Sequence, residues 1–376
     1  MPSKTIALVA NTTWNIHNFR LNVIRRLLDE GHEVIVIAPV DEYISYQEKF
    51  RSVRHIPIHR LRRDSINPVK DIQLLSELYR VYRQTRPDLI VHYTVKPNIY
   101  GGLAARLAGI PSIAVVTGLG YAFIHNGIVK NTTKYLYKLS SRFHRKIVFE
   151  NSDDKQLFIE QRLITPAKGV SVMGCGVDTA YFNPEAGRNG SETGTVFTFI
   201  GRLLYDKGIR EFVEAAHMVK QSAPDAKFWV VGELDRDNPS SIRREDLVQW
   251  VKDQTVEYHG ATHDVRPFLQ KTHCLVLPSY REGMSRVIME AMSMERPVIT
   301  TDTAGCREAV DHQQNGFLIP VKDSQALARA MQEFLQLSAE RRQAMGVAGR
   351  EKAVRLFDDK RVANQIYQIM QSALDA

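Results

Sequence analysis

Cysteine is scarce in this sequence of 376 residues, which contains only Cys175, Cys274 and Cys306. An odd number of widely separated cysteines provides no disulfide framework and does not match the ligand spacing of a zinc site. Long apolar runs are absent as well. No stretch approaches the roughly 18 apolar residues of a membrane span, and the run from Ile6 to Ala10 is too short for a signal peptide. These absences predict a globular cytoplasmic protein.

The formal net charge is +8, and it is unevenly distributed. Residues 1–180 contain 25 Lys and Arg against 15 Asp and Glu, a net charge of +10, whereas the rest of the chain has 25 against 27, a net charge of −2. The basic half predicts an anionic partner, with nucleic acid, anionic lipid and a phosphorylated acceptor as candidates. Nucleic acid is the weakest candidate because no recognisable binding motif accompanies the charge.

Short apolar runs alternate with amphipathic segments along both halves of the chain. This alternation predicts an α/β fold with parallel sheets, and the length favours two domains. We place one Rossmann-like domain at 1–180 and another at 181–356, after a linker at 181–195, with a last helix at 357–376 that docks elsewhere. The predicted strands are 5–10, 34–38, 89–92, 113–116, 196–200, 227–231, 256–258, 275–277 and 297–300, and the predicted helices are 19–30, 74–83, 99–108, 209–221, 265–271 and 357–374.

A helical pattern begins at Glu282, just after a short apolar run. Glu290 follows eight residues later, a little over two helical turns, so both carboxylates project toward the same side. The N–H groups of Gly283, Met284 and Ser285 are expected to be unpaired donors of the first helical turn, which suit an anion. An anion cradle beside two carboxylates predicts a site for a phosphorylated sugar.

A loop with two cations follows the first predicted strand of the second domain. Gly201 would let the backbone approach a ligand closely, and Arg202 and Lys207 would supply the charge that a diphosphate requires. Such a loop is common in isolation. It gains significance from the two carboxylates that follow another strand of the same domain.

The order of these motifs resembles that of the retaining GT-B glycosyltransferases of family 4, over nearly the whole chain. The residues that carry the resemblance are Gly201-Arg202, Lys207-Gly208, Val231-Gly232, Pro278-Ser279, Glu282-Gly283 and Glu290-Ala291. The segments Asn67-Pro68, Gly118-Leu119-Gly120 and Asp237-Asn238-Pro239 are similar to those of bacterial enzymes that add N-acetylhexosamines to undecaprenyl-diphosphate-linked sugars, as in the Campylobacter-type N-glycan pathway. The resemblance implies a GT-B fold, in which two Rossmann-like domains face each other across a cleft and the last helix crosses back to the first domain.

The resemblance also implies roles in the second domain. Arg202 and Lys207 would bind the diphosphate of a UDP-sugar, Glu282 would hold its sugar and Glu290 the ribose hydroxyls, so that the catalytic candidates are Arg202, Lys207 and Glu282. Cations and amides that face the leaving diphosphate would stabilise the transition state without a metal or another cofactor. The donor-binding candidates are Gly201, Arg202, Lys207, Glu282, Gly283, Met284, Ser285 and Glu290.

The loops that follow the first-domain strands contain the acceptor-binding candidates. Lys96 would meet an acceptor hydroxyl or phosphate, and the alternative is ordinary loop and helix-cap chemistry. The family often has a histidine after its fourth strand, and residues 116–121 contain none. A backbone carbonyl, Thr117 or His125 could replace it, and a mechanism in which the donor phosphate takes the proton needs no protein base. The acceptor candidates are His17, Asn18, Thr94, Lys96, Thr117 and Gly118.

Two other features have ordinary interpretations. Asp235-Arg236-Asp237 matches the D-x-D of metal-dependent glycosyltransferases, but a match of three residues is unspecific, and we interpret the segment as a surface loop that borders the donor site. His92, at a strand end, is interpreted as a partly buried, hydrogen-bonded histidine and not as a catalyst.

A predicted helix over 129–146 carries a basic stripe at a spacing of four residues, with apolar residues between. Such a stripe is often simply a solvated face. Alternatively it lies against anionic lipid, helped by the arginines of 60–63, with about 1 kcal/mol per basic residue. A lipid-linked acceptor favours the second interpretation and a peripheral location on the inner face of the cell membrane. The stripe consists of Lys130, Lys134, Lys138 and Arg142.

The leading hypothesis is a retaining transferase that moves a sugar, an N-acetylhexosamine, from a UDP-sugar to a polyprenyl-diphosphate-linked saccharide. One alternative is a sugar-nucleotide epimerase of GT-B shape, which would need an acid and a base at C2 of the sugar. The other is a non-catalytic basic scaffold that binds membrane or nucleic acid.

Overall fold

The computed structural model describes residues 2–61, 67–119, 128–184, 194–235 and 238–375, except the side chains of residues 128 and 129. These residues form two compact units, Met1–Gly176 with Asp359–Ala376, and Val177–Asp358. Several predicted features lie outside the described residues: Arg62, Arg63, Gly120, His125, Arg236, Asp237 and most of the linker at 181–195.

Seven strands of the first unit form one parallel sheet. The central strands are mostly apolar and buried on both faces, as expected of a parallel sheet covered by helices on each side, whereas the edge strand at 54–57 is partly exposed. The strands are β1 (Thr5–Val9), β2 (Glu33–Ala38), β3 (Arg54–Pro57), β4 (Leu89–Tyr93), β5 (Ser112–Val116), β6 (Lys146–Phe149) and β7 (Gly169–Ser171). The sheet order is β3-β2-β1-β4-β5-β6-β7. Successive strands are added on one side of β1 up to β3 and on its other side from β4 onward, which is the arrangement of a Rossmann-like domain.

The helices of the first unit connect these strands. They are α1 (Thr13–Phe19), α2 (Leu21–Asp29), α3 (Tyr46–Lys49), α4 (Pro68–Thr85), α5 (Gly102–Ala108), α6 (Ile128–Ser140) and α7 (Ser152–Glu160), with a π-helical turn at Pro97–Gly101 before α5. The predicted helix at 19–30 is interrupted at Arg20, and the loop before it is itself the helix α1. Helix α1 forms because the Thr12 hydroxyl accepts a hydrogen bond from the Asn15 N–H and caps the first turn.

The second unit repeats the architecture with six strands. They are β8 (Val196–Ile200), β9 (Lys227–Val231), β10 (Glu257–Tyr258), β11 (Cys274–Leu277), β12 (Val298–Thr301) and β13 (Gly316–Ile319), in the parallel order β10-β9-β8-β11-β12-β13. The helices are α8 (Ile209–Ser222), α9 (Arg244–Lys252), α10 (Arg266–Lys271), α11 (Arg286–Ser293), α12 (Ser324–Gln336) and α13 (Ala339–Lys352). The predicted α/β class with two Rossmann-like domains is confirmed.

The last helix, α14 (Asp359–Leu374), belongs to the first unit although it follows the second in sequence. Val362, Ile366 and Met370 are buried in the core on one side of the first sheet, and the Tyr367 hydroxyl is 3.1 Å from Nε2 of His32. The chain thus passes between the units twice, at 176–177 and at 358–359. Among the described residues, no helix is both long enough and apolar enough to cross a membrane.

Candidate functional site

Lys207 and Glu282, 75 residues apart in sequence, are in direct contact in the second unit. The Lys207 ammonium lies 2.5 Å from Oε1 and 2.7 Å from Oε2 of Glu282, and the Ser279 hydroxyl donates to Oε1 at 2.6 Å. The contact arises because β8 and β11 are parallel neighbours, so the loops that follow them emerge at the same sheet edge. The structure therefore brings together two of the predicted catalytic candidates.

Backbone contacts hold these two loops against each other. The Tyr280 N–H donates to the Asp206 carbonyl at 2.9 Å. Gly208 has φ +74°, and a Cβ there would lie 2.1 Å from the Pro278 carbonyl oxygen, so no other residue fits without displacing the backbone. The cation and the carboxylate are thus held by a rigid frame, which favours a preformed ligand site.

Helix α11 begins at Arg286, not at the predicted position near Glu282. Ser285 is its N-cap residue, with extended backbone angles, so the N–H groups of Gly283 and Met284 precede the helix and are not first-turn donors as predicted. Met284 is buried, at 6% exposure. Residues 283–285 remain at the sheet edge, because they directly follow Glu282.

Glu290 lies in α11 and is almost fully buried, with 8% exposure. Arg286, one turn earlier, donates from Nε to Oε1 of Glu290 at 2.8 Å. Burial raises the pKa of Glu290, and the Arg286 guanidinium opposes this shift. The pairing of Arg286 with Glu290 was not predicted from the sequence, although a spacing of four residues is typical of a helical ion pair.

Arg202 contacts the loop that follows β9. Its NH1 lies 2.6 Å from Oδ2 of Asp235, the first residue of the D-x-D triplet. Both side chains are partly exposed, at 33% and 21%. The described residues contain no cluster of three or more His, Cys, Asp or Glu side chains arranged to hold a metal ion, and Asp235 is instead the partner of a predicted donor-binding cation.

The acceptor candidates lie on segments that follow β1, β4 and β5, which are neighbours in the first sheet. His17 and Asn18 are in the last turn of α1 and not in a loop as predicted. The Asn18 side chain donates to the Trp14 carbonyl at 3.0 Å. Lys96 is paired with Asp71 at 2.9 Å, with both side chains mostly buried, so this cation is partly neutralised inside its own unit.

Thr94 has φ +72°, a strained angle for a threonine, immediately after β4. Strain of this kind often occurs where a backbone is held in place for a ligand. Thr117 and Gly118, after β5, are partly exposed. These residues share a sheet edge with Thr94.

His92 is fully buried, more than predicted. Its Nε2 is hydrogen-bonded to the Tyr82 hydroxyl at 2.9 Å, and its ring centroid is 5.5 Å from that of His144. Burial, reinforced by His144, holds the pKa of His92 well below its ordinary value. Burial likewise lowers the pKa of His144 to about 4. Both histidines are therefore neutral packing groups at physiological pH, as the sequence interpretation of His92 proposed.

The basic stripe is only partly helical. Helix α6 ends at Ser140, and strand β6 begins at Lys146, so Arg142 lies in the turn between them. The predicted helix over 129–146 was too long, because the 2.9 Å bond from the Phe143 N–H to the Ser140 carbonyl closes the last turn. An open groove of about 390 Å³ borders the stripe and is lined by Asn131, Lys134, Tyr135, Lys138, Gln161 and Leu163.

Both halves of the chain match known protein families. Residues 5–151 match the family described as glycosyl transferase 4-like, and residues 194–337 match glycosyl transferases group 1. The chain belongs to the glycosyltransferases. The second match spans all the donor candidates, and the first spans all the acceptor candidates and α6.

Curated relatives of this transferase include two bacterial enzymes. The chain is 29% identical to the N,N'-diacetylbacillosaminyl-diphospho-undecaprenol alpha-1,3-N-acetylgalactosaminyltransferase of Campylobacter jejuni. The match extends over 347 residues, which cover 88% of this chain and 89% of the relative. The chain is 28% identical over 291 residues, 74% of each chain, to the UDP-Gal:alpha-D-GlcNAc-diphosphoundecaprenol alpha-1,3-galactosyltransferase of Escherichia coli.

Solved structures confirm the fold of the transferase. A glycosyltransferase from Rickettsia africae superimposes with a TM-score of 0.81 at 19% identity, over 100% of this chain and 99% of the other. Anabaena Alr3699/HepE in complex with UDP and glucose gives a TM-score of 0.81 at 17% identity, over 98% and 100%. The GT-B fold implied by the sequence resemblance is confirmed.

Proposed function

We propose that this transferase moves an N-acetylhexosamine from a UDP-sugar to a polyprenyl-diphosphate-linked saccharide, with retention at the anomeric carbon. The observation that carries the proposal is the meeting of Lys207 and Glu282 at the edge of the second sheet, with Arg202 on the same loop as Lys207. The two curated relatives act on undecaprenyl-diphosphate-linked sugars. Because both are transferases, an epimerase or a non-catalytic scaffold is not favoured.

The chemistry of the donor site follows from charge. When the bond between the sugar and the diphosphate breaks, negative charge develops on the departing UDP. Arg202 and Lys207 are cations on a fixed loop, and fixed charges stabilise a developing charge without reorganisation. Glu282, held by Lys207 and Ser279, presents carboxylate oxygens for sugar hydroxyls. Glu290 would accept hydrogen bonds from the ribose, oriented by Arg286. We propose no metal in this step because the two cations supply the charge.

The acceptor is assigned to the first unit. Thr94, Thr117 and Gly118 follow neighbouring strands. Asp71 neutralises Lys96 only in part, and we propose that the remaining positive charge of Lys96 attracts the acceptor. No protein base is assigned, and we propose that a phosphate oxygen of the donor takes the acceptor proton. His125 lies outside the described residues.

Calorimetry with UDP tests the donor site. Glu290→Ala should weaken UDP binding by about 1–3 kcal/mol, since hydrogen bonds to a charged group are lost, while Arg202→Ala should lower kcat with the natural acceptor. Glu333→Ala, an exposed glutamate of α12, is the matched control and should bind UDP as the unaltered protein does. Absence of UDP and UDP-sugar binding in the unaltered protein would refute the proposal.

We also propose that Lys130, Lys134, Lys138 and Arg142 hold the enzyme on an anionic membrane surface. The Lys138 and Arg142 side chains are exposed, and Tyr135, at 69% exposure, adds an aromatic ring of the kind that favours a lipid interface. The groove beside Lys134 and Lys138 has room for a lipid headgroup. A membrane-bound acceptor would make such binding useful.

Vesicle flotation tests this surface. Binding to vesicles with phosphatidylglycerol should exceed binding to phosphatidylcholine alone, and Lys134→Glu with Lys138→Glu should remove the difference. Lys252→Glu with Arg329→Glu changes the net charge equally at exposed positions of the second unit and should leave most of the binding. If both double variants float alike, α6 is an ordinary solvated face.

A further inference from the structure

Asp235 forms an ion pair with Arg202, the cation that the proposed function assigns to the donor diphosphate. Asp235 follows β9 and Arg202 follows β8, and these strands are parallel neighbours with Ile200 opposite Val231. Their side chains meet 2.6 Å apart, from NH1 of Arg202 to Oδ2 of Asp235. A guanidinium binds a carboxylate and a phosphate through the same pattern of N–H donors. The Asp235 carboxylate therefore accepts from Arg202 the kind of hydrogen bond that a phosphate oxygen would accept.

The backbones of these two loops are fixed to each other. The Leu203 N–H donates to the Glu233 carbonyl at 2.9 Å, and the Tyr205 N–H donates to the Ser240 carbonyl at 2.7 Å. Gly232 approaches so closely that a Cβ there would lie 1.8 Å from the Gly201 carbonyl oxygen. A change of partner at Arg202 is thus a movement of side chains and requires no movement of the loops.

The two carboxylates that hold the donor-site cations differ in how firmly they are kept. Glu282 is 10% exposed and receives hydrogen bonds from both Lys207 and Ser279. Asp235 is 21% exposed, and its contact with the Asn238 side chain is long, at 3.5 Å. Partly exposed ion pairs of this kind contribute little to stability. The Asp235 contact is therefore the one that a diphosphate can displace.

We propose that Asp235 is a positioning residue that stands in for the donor diphosphate on Arg202. Asp235 holds the Arg202 guanidinium at the site when no nucleotide is bound. The diphosphate of the incoming donor displaces the Asp235 carboxylate from Arg202, and the contact between Asp235 and Arg202 forms again as UDP leaves. The proposal rests on the proposed function. It predicts that Asp235 weakens UDP binding and so favours product release, at the cost of a higher KM for the donor.

Calorimetry on four forms of the full chain tests this exchange: the unaltered protein, Asp235→Asn, Arg202→Gln and the double variant. Asparagine keeps the shape of aspartate and removes the competing charge. Asp235→Asn should bind UDP about threefold to fivefold more tightly, the range expected for loss of a partly exposed ion pair. Uridine, which has no phosphate, should bind equally to both. Asp235→Ala should also tighten UDP binding, which guards against an effect peculiar to asparagine.

The double variant separates an effect through Arg202 from a general change in charge. In the Arg202→Gln background, Asp235→Asn should no longer tighten UDP binding. Asp225→Asn is the matched control, because Asp225 is exposed just before β9, at the opposite end of the strand from Asp235, and carries the same charge. It should leave the affinity for UDP unchanged.

Distinct outcomes separate this inference from the proposed function. If the unaltered protein binds UDP and Asp235→Asn binds it equally or more weakly, Asp235 only braces the loop and the inference is wrong. An equal gain in the Arg202→Gln background, or with Asp225→Asn, refutes it as well. If none of the forms binds UDP, the proposed function fails and the inference fails with it. A steady-state measurement adds a further requirement, since Asp235→Asn must lower the KM for the donor and strengthen product inhibition by UDP.

Discussion

Arg20 in the first unit and Arg202 in the second are each paired with a carboxylate, in opposite surroundings. The Arg20 and Glu150 side chains are 2% and 6% exposed, with NH2 of Arg20 3.1 Å from Oε1 of Glu150. The Arg20 guanidinium also lies over the Tyr93 ring, 4.2 Å from its centroid. The Arg202 and Asp235 side chains are 33% and 21% exposed. The same pair of chemical groups, a guanidinium and a carboxylate, is buried in one unit and accessible to solvent in the other.

This difference separates a structural role from a functional one. Two buried charges lose their hydration, and the loss is recovered only while both partners are present. An accessible pair can exchange its partner for water or a ligand at little cost. Burial of the ion pair marks Arg20 and Glu150 as part of the fold, and partial exposure leaves Arg202 accessible to the diphosphate that we propose it binds.

The largest effect should follow removal of one partner of the sealed pair. Arg20→Met leaves the Glu150 carboxylate buried without its cation and should lower the free energy of unfolding by about 3–5 kcal/mol. Urea denaturation at pH 7 measures it. The double variant Arg20→Met with Glu150→Met should recover much of the loss, because no unpaired charge remains. A loss below about 1 kcal/mol for Arg20→Met would mean that the pair is not sealed in solution.

Acidification should produce the next largest effect, through His144. Nε2 of His144 lies 2.8 Å from the Asn98 carbonyl and Nδ1 lies 2.9 Å from the Ser112 hydroxyl, so the neutral ring is satisfied. Its pKa is lowered to about 4 in the folded protein, against about 6.5 when unfolded. Between these values the unfolded chain binds the extra proton, so stability falls as pH falls. The contribution is intact above about pH 6.5, and about 2 kcal/mol is lost by pH 5.

The reference for this measurement is His144→Gln, which keeps a hydrogen-bonding side chain and removes the titration. Urea denaturation of both proteins between pH 7.5 and pH 5 should show a stability difference that shrinks on acidification, because only the unaltered protein carries this histidine. The low pKa of His92 is due mainly to burial, which both proteins share, so most of its contribution should cancel, except the part that His144 adds. A stability difference that is constant across this range would place His144 in contact with water.

Much of the fold could be predicted because buried parallel strands are continuous apolar runs in the sequence. The predicted strands at 196–200 and 227–231 coincide with β8 and β9. Lys207 and Glu282 were both placed after strands of the second domain, but the ion pair between them was not predicted. The predicted division at 180 lies four residues after the one in the structure, at 176–177.

What the sequence did not reveal depends on pairing across long separations and on cap geometry. Arg20 and Glu150 are 130 residues apart, and neither has a neighbour in sequence that signals a buried partner. The start of α11 was placed too early because Gly283, Met284 and Ser285 fit the helical pattern, whereas extended backbone at Ser285 delays the helix to Arg286. Helix α1 was missed because its polar residues are typical of loops.

The smallest effect on stability should come from Arg202→Met, the direct counterpart of Arg20→Met. Because the Arg202 and Asp235 side chains are partly hydrated, loss of this pair should change the free energy of unfolding by less than about 1 kcal/mol. The same urea denaturation applies, at low and at high salt. Any change should be smaller at high salt, since exposed charges are screened, whereas the loss in Arg20→Met should persist. Equal destabilisation by the two substitutions would refute the distinction between buried and accessible pairs, and Arg202 would then be part of the fold and could not exchange Asp235 for a substrate.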